Sequence, residues 1–290
     1  MGTQTSEAGK EMREWCVALP KVELHAHLNG SVRNSTLLEL AKELGDKGVI
    51  VFEDVKDVIK KKIRTTPKNN EAKGITKRSY MNAVVKGLKS VKDVDVVLND
   101  EKLSCTPMSD LGGDGKRKKI YVRLLLSIDR HETTSAALDT VNLAMEMKDQ
   151  GVIGIDLSGN PVVGEWETYL PALEHAKELG IPTTIHCGEV PNRKEIQAML
   201  DFCPQRLGDV CCLDDEEWKK LKSSVIPVEI CLTSNVMTGG TPSLELHHFD
   251  EYYLVASIFG LSKAELFRLA QGAVEFVFAG DEIRRRRWIE

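Results

Sequence analysis

IYVRLLLSIDRHETTSAALDTVNLAMEMKDQGVIGIDLSG, residues 120–159, holds the repeating unit of the chain. It opens on IYVRLLLSI (120–128), an apolar run of strand length. It continues through AALDTVNLAMEMK (136–148), where apolar residues recur at helical spacing. It closes on a second apolar run, VIGIDLSG (152–159). Strands this apolar are buried on both faces, and a helix between two of them is the crossover that parallel pairing needs.

The same alternation continues on both sides. Downstream, WETYLPALEHAKELG (166–180) predicts a helix stopping at Gly180, and PTTIHCGE (182–189) a strand running into a turn. RKEIQAML (193–200) is a helix, RLGDVCC (206–212) a short strand, DEEWKKLKS (215–223) a helix and IPVEICLTSN (226–235) a strand. LSKAELFRLAQGAVEFVFA (261–279) is a final helix that Ser262 and Glu265 can cap. Upstream, VELHAHL (22–28) predicts a strand. STLLELAKELG (35–45) follows as a helix with a Thr36–Glu39 capping box, an apolar face of Leu37, Leu40, Ala41 and Leu44, and a stop at Gly45. Repeated βα units imply a parallel sheet covered by helices. His27, Asp129, Gly159, His186 and Asn235 fall at the C-terminal ends of different strands. A (β/α) barrel gathers its site from many strand ends, whereas a doubly wound sheet uses one switch point, so the barrel is the expected fold. The expected organisation is a flexible tail over residues 1–13 and a single barrel domain over 14–290.

Composition narrows the function. The chain has 290 residues, 42% of them hydrophobic, enough for a large core. A net charge of -5 argues against nucleic acid as a partner. The basic runs KRKK (116–119) and RRRR (284–287) are short enough to be a solvated loop and a solvated end. No apolar run is long enough to span a membrane, and MGTQTSEAGKEMREWC lacks the apolar core of a secretory signal. Seven cysteines without a C-x-x-C pair suit a reducing compartment. The expectation is a cytosolic monomer acting on a small molecule, without nucleic-acid or membrane partners.

Residues i and i+2 of a strand share a face, so His25 and His27 project side by side. Alone, H-x-H more often marks a pair of core or surface histidines than a metal site. IHCGE (185–189) adds His186 at another strand end and a glycine turn presenting Glu189. Three imidazoles from two strand ends make three ligands for one Zn²⁺ with room for water, and such an ion turns water into a nucleophile. A carboxylic acid three residues beyond a ligand can hand a proton to the substrate. Cys187 is expected to face away from this space.

The segments LPKVELHAHLNGSVR, RTTPK, YVRLLLSIDR, GIDLSGNP, HCGEVPN and PVEICLTSNV resemble the adenosine/AMP deaminase family, in the family's order and over most of the chain. RTTPK followed by KRSY resembles the adenosine deaminase-like subgroup, which hydrolyses N6-methyl-AMP to IMP and methylamine. The resemblance implies a metallo-dependent hydrolase barrel with one Zn²⁺ ion and a purine nucleotide as substrate. It makes His25, His27 and His186 zinc ligands, with His27 also beside the substrate. Glu189 would be the acid that protonates purine N1 as metal-activated water attacks C6. Gly159 would offer its amide to purine N3, while Asn29, Asp129 and the turn Thr65, Thr66, Pro67, Lys68 would hold the ribose and phosphate. A phosphoesterase on the same barrel is the rival, but HCGE and SGNP match a purine deaminase.

Three departures stand against these matches. The family ends its last strand with threonine-aspartate-aspartate, which carries a zinc ligand and a substrate-binding carboxylate. Here ELHHFDEYYLVASIFGLSKAEL (245–266) runs past that place without such a strand. Asp214 and Asp215 sit instead where a helix begins. Asp209 in RLGD stands where the family has a histidine, and a carboxylate there adds like charge beside the nucleophile. DVIKKKIRTTPK (57–68) fuses the first helix to the end of strand two, and its lysines suit no barrel interior. The expectation is a barrel with fewer than eight well-formed strands. Two functions fit it: a zinc deaminase of N6-methyl-AMP, or a catalytically impaired or regulatory relative keeping part of the metal and purine site.

Overall fold

The computed structural model describes residues 7–27, 98–99, 123–232 and 248–278, with Leu38, Lys42, Glu43, Asp46 and Asn235 as single positions. Among the described residues six parallel strands lie in sequence order: β1 (Leu98–Asn99), β2 (Leu124–Asp129), β3 (Val152–Ser158), β4 (Thr183–Cys187), β5 (Arg206–Asp209) and β6 (Val228–Glu229). Between them run α2 (Thr134–Glu146), α3 (Trp166–Glu178), α4 (Arg193–Phe202) and α5 (Asp215–Ser224), after an N-terminal α1 (Glu7–Ala18). After β6 the described residues form α6 (His248–Phe259) and α7 (Lys263–Ala273). Among the described residues the strand order never reverses. Crossovers of the usual right hand that step always in one direction put their helices on one face, as a barrel requires and a doubly wound sheet does not; α2–α5 all pack on the same apolar face.

Register explains the two faces. Ile128, Leu157, Ile185, Leu207 and Val228 are lateral neighbours across five strands and form one apolar row. That row packs on Ala137, Val141, Leu173, Ala176, Ile196 and Leu221 of the crossover helices. Ile185 is fully buried, and burying such a side chain stabilises by about 1.5–3 kcal/mol. The alternate residues give polar rows on the opposite face: Ser127–Asp156–Thr184–Arg206, and His186–Gly208–Glu229. These polar residues are nevertheless buried. They are covered by the segment before His27 and by the chain after α7, where Val277 packs on Val22, Leu24 and Ile153. The polar face is therefore an interior.

The crossover helices carry the expected caps. Thr133 and Asn192 accept from the first turns of α2 and α4, and Gly180 ends α3 in the left-handed region. Asp214 forms a capping box with Glu217, and Ser262 forms one with Glu265.

Several expectations need correction. Residues 7–13, placed in a flexible tail, are helical. Met12, Trp15, Cys16 and Leu19 fall at helical spacing and pack against Tyr252, Ala256, Leu266 and Ala270 of α6 and α7. VELHAHL, expected as a strand, shows only an isolated bridge at His27 over its described residues. Glu23 Oε1 accepts from the His25 amide at 2.9 Å, which takes the donor a ladder would use. The strand expected over 226–235 pairs only at Val228–Glu229. It is an edge among the described residues. Between Asn235 and Leu261 the described segment, from His248, is helix rather than strand. The first helix (35–45), apart from isolated positions, and the lysine-rich run before Thr65 lie outside the described residues.

A candidate metal and substrate site at the strand ends

Gly208 opens this site. It lies between His186 and Glu229 in one lateral row, and the missing side chain leaves a slot that the His25 ring fills. A Cβ at Gly208 would stand 2.6 Å from His25 Cε1 and 3.0 Å from Nδ1, so no larger residue fits. Glu229 fixes the ring: its Oε2 is 2.5 Å from His25 Nδ1. The other oxygen, Oε1, accepts from Thr184 Oγ1 at 3.1 Å and from Arg206 Nε. Arg206 in turn donates to the Phe276 carbonyl at 2.8 Å and stacks 3.6 Å from the Phe278 ring centre. With Nδ1 engaged, His25 directs Nε2 to the cluster, 4.0 Å from Asp209 Oδ2.

The three sequence-predicted histidines converge. Ring centres lie 5.5 Å apart for His25 and His27, 4.6 Å for His25 and His186, and 5.3 Å for His27 and His186. One nitrogen from each lies within 4.8 Å of the others. His186 Nδ1 is 3.2 Å from Asp209 Oδ2 and 3.4 Å from Glu189 Oε1, and Nε2 is 3.5 Å from Asp156 Oδ1. Imidazole nitrogens mixed with carboxylate oxygens at this spacing are the donor set a zinc-type cation takes, so the residues present fit such an ion.

Glu189 reaches the cluster through a turn at Gly188, whose φ of +67° favours glycine. A Cβ there would also meet Leu213 Cδ1 at 2.6 Å. The turn is tied down by Cys212, whose amide donates to the Gly188 carbonyl at 2.8 Å. Cys187 points to the helix side, as expected. Burial pushes its thiol up to about 12, with Glu217 and Glu195 adding to the shift. Asp209 and Val210 end β5 with φ of 67° and 52°, which turns the Asp209 carboxylate inward. With its amide oxygen and nitrogen exchanged, Asn235 donates to Asp209 Oδ1 at 2.9 Å.

Asp129 and Gly159 sit beside each other at the ends of β2 and β3, respectively two strands and one strand from His186 on β4. A Cβ on Gly159 would be 3.2 Å from Asp129 Oδ1. That oxygen accepts from the His131 amide at 2.7 Å and lies 2.8 Å from its Nδ1, so it also holds its own turn. Asn29, Thr65, Thr66, Pro67 and Lys68 lie outside the described residues. Sequence reasoning missed Glu229, Arg206, Thr184 and Asp156. The available signal was a carboxylate inside the apolar strand IPVEIC and an arginine two residues before the glycine of RLGD.

Comparison with known proteins identifies relatives of this chain. The Adenosine deaminase family profile matches residues 48–253, downstream of His25 and His27. N6-mAMP deaminase of Arabidopsis thaliana is 47% identical over 345 aligned positions, covering 94% of this chain and 96% of the relative. N6-Methyl-AMP deaminase of Bos taurus is 31% identical over 350 positions, covering 93% of each. The crystal structure of Arabidopsis ADAL complexed with IMP matches with a TM-score of 0.77 at 46% identity, covering 94% of this chain and 96% of that one. Both sequence alignments are longer than the 290-residue chain, so the relatives hold internal positions that this chain lacks. The fold, the convergent histidines and these matches lead to one conclusion: the chain belongs to the adenosine deaminase family.

Proposed function

We propose that this chain is a zinc-dependent hydrolytic deaminase converting N6-methyl-AMP to IMP and methylamine, at a rate lowered by its departures from the family. The observation that carries the proposal is the convergence of His25, His27 and His186, with donor nitrogens within 4.8 Å of one another and Glu189 beside them. Relatives bearing the N6-methyl-AMP deaminase name over nearly their whole length support the substrate.

His25, His27 and His186 would hold the ion. When bound, zinc supplies the Lewis acidity that activates water for attack. Glu189 supplies the proton: attack at C6 of the purine pushes electron density onto N1, and a carboxylic acid at that nitrogen neutralises it. Glu229 keeps His25 in one orientation, so the nucleophile forms in one place. The Gly159 amide, Asn29, His27 and Asp129 would orient purine and ribose, and Thr65, Thr66, Pro67 and Lys68 would seat the phosphate. Asp209 brings negative charge where an anionic nucleophile must form, which opposes its formation. The proposal includes one zinc ion, a monomeric state, a cytosolic location and no nucleic-acid partner. The net charge of -5 supports the last. Among the described residues no helix is long and apolar enough to cross a membrane.

Methylamine release from N6-methyl-AMP by this chain, beside Glu189→Ala as a blank, tests the proposal. Turnover is expected above the blank but about 10²–10³ below an intact relative, the usual cost of losing one group that acts on the transition state. Turnover equal to the blank removes the deaminase; turnover equal to the relative removes the impairment.

A further inference from the structure

Asp209 stands within the donor cluster. Its Oδ2 is 3.2 Å from His186 Nδ1 and 4.0 Å from His25 Nε2. Two His–carboxylate hydrogen bonds among the described residues are shorter: 2.5 Å for His25–Glu229 and 2.8 Å for His131–Asp129. Two donors on one tetrahedral zinc, each about 2.1 Å from it, are about 3.4 Å apart. The two Asp209 separations bracket that value. The backbone agrees: left-handed φ at both Asp209 and Val210 aims the carboxylate inward, although a β-branched residue such as Val210 disfavours that region. With its amide oxygen and nitrogen exchanged, Asn235 holds Oδ1 and leaves Oδ2 to the rings. The residue is buried, at 6% exposure, which keeps competing water away.

We infer that Asp209 is itself a metal ligand, giving a carboxylate oxygen to the same divalent cation as His25 and His186. The inference rests on the metal reading in the proposed function and extends it to a residue that was expected only to obstruct. Coordination changes what that carboxylate does. A carboxylate bound to the ion offsets part of the ion's charge, so the site holds metal firmly while activating water less than a site of neutral donors.

The test is metal binding, measured apart from turnover. The whole chain is stripped with chelator and reloaded. Zn²⁺ affinity is read by competition with a chromogenic chelator, and Co²⁺ geometry from its visible absorption. Asp209→Asn is expected to weaken Zn²⁺ binding at least about 100-fold, at or beyond the upper end of what outer-shell changes do, and to alter the Co²⁺ spectrum. Asp209→Cys keeps an anionic donor. It should bind Co²⁺ with a new thiolate-to-metal charge-transfer band, a signal that damage to the fold cannot produce. Affinity within threefold of the parent in Asp209→Asn, or no new band in Asp209→Cys, overturns the inference and leaves the three-histidine site standing. A band already present in the parent and lost in Cys231→Ser gives the place to Cys231, which also lies within donor reach of His25 and Asp209, and overturns it too. If the parent binds no Zn²⁺ and His186→Ala behaves identically, the metal reading itself fails and this inference with it.

Discussion

Glu229→Gln separates the two tasks of one buried carboxylate. Glu229 and Arg206 have side chains 2% and 3% exposed, so neither charge is compensated by water. Removing one partner of such a pair costs about 3–5 kcal/mol, because the other charge stays buried alone. Glutamine keeps the volume and one acceptor oxygen, so the lower end, about 3 kcal/mol, is expected. At about 2–4 °C per kcal/mol for a domain of this size, that is a fall of roughly 6–12 °C in melting temperature. His25 loses its partner at the same time, and metal affinity should drop about 10–100-fold. The assay is urea unfolding and calorimetry on Glu229→Gln, Arg206→Met and the double variant, with chelator competition in parallel. Arg206→Met should be comparably destabilised. The double variant should recover much of the loss, since both charges are then gone. Single variants within about 1 kcal/mol of the parent, or a double variant equal to the sum of the singles, would refute a coupled buried pair.

Two further outcomes follow from the same geometry. Gly208→Ala places a methyl 2.6 Å from His25 Cε1, so the ring must withdraw and break its bond to Glu229. A loss of about 1.5–3 kcal/mol in urea unfolding is expected, with Zn²⁺ at least about tenfold weaker, and parental values in both would show that His25 is not seated there. With its thiol pushed up to about 12 by burial, Cys187 is ionised to only about 10⁻⁴ at pH 8. Iodoacetamide followed by mass spectrometry should label exposed Cys203 in the native protein and leave Cys187 unmodified until denaturation; equal labelling refutes the core placement of Cys187.

What the sequence disclosed follows from periodicity. β3, α3 and β4 were legible because their apolar residues recur cleanly and Gly180 marks a stop. His25, His27, His186 and Glu189 were legible because H-x-H and HCGE place ligand chemistry at strand ends. β1 was not legible, since Leu98–Asn99 is too short to show a period. α1 was missed because its apolar positions make sense only once α6 and α7 are there to receive them. Glu229 and Arg206 were missed for the same reason: a charge inside an apolar strand is readable as a pair only when register sets β5 beside β6. Asp209 was read only in part. Its charge was weighed against the nucleophile, but the left-handed turn that brings it within reach of two histidines leaves no periodic trace.

His25 and the glutamate that steadies it are 204 residues apart in the chain. At roughly 5–20 residues per second of synthesis, His25 emerges from the ribosome about 10–40 s before Glu229 exists. The helix just upstream of His25 waits longer still, because the surface it packs on belongs to α6 and α7. Throughout that interval His25 is without Glu229, and the apolar face of α1 is without α6 and α7. The nascent chain thus carries an uncovered apolar helix face from its first tens of residues until α6 and α7 emerge.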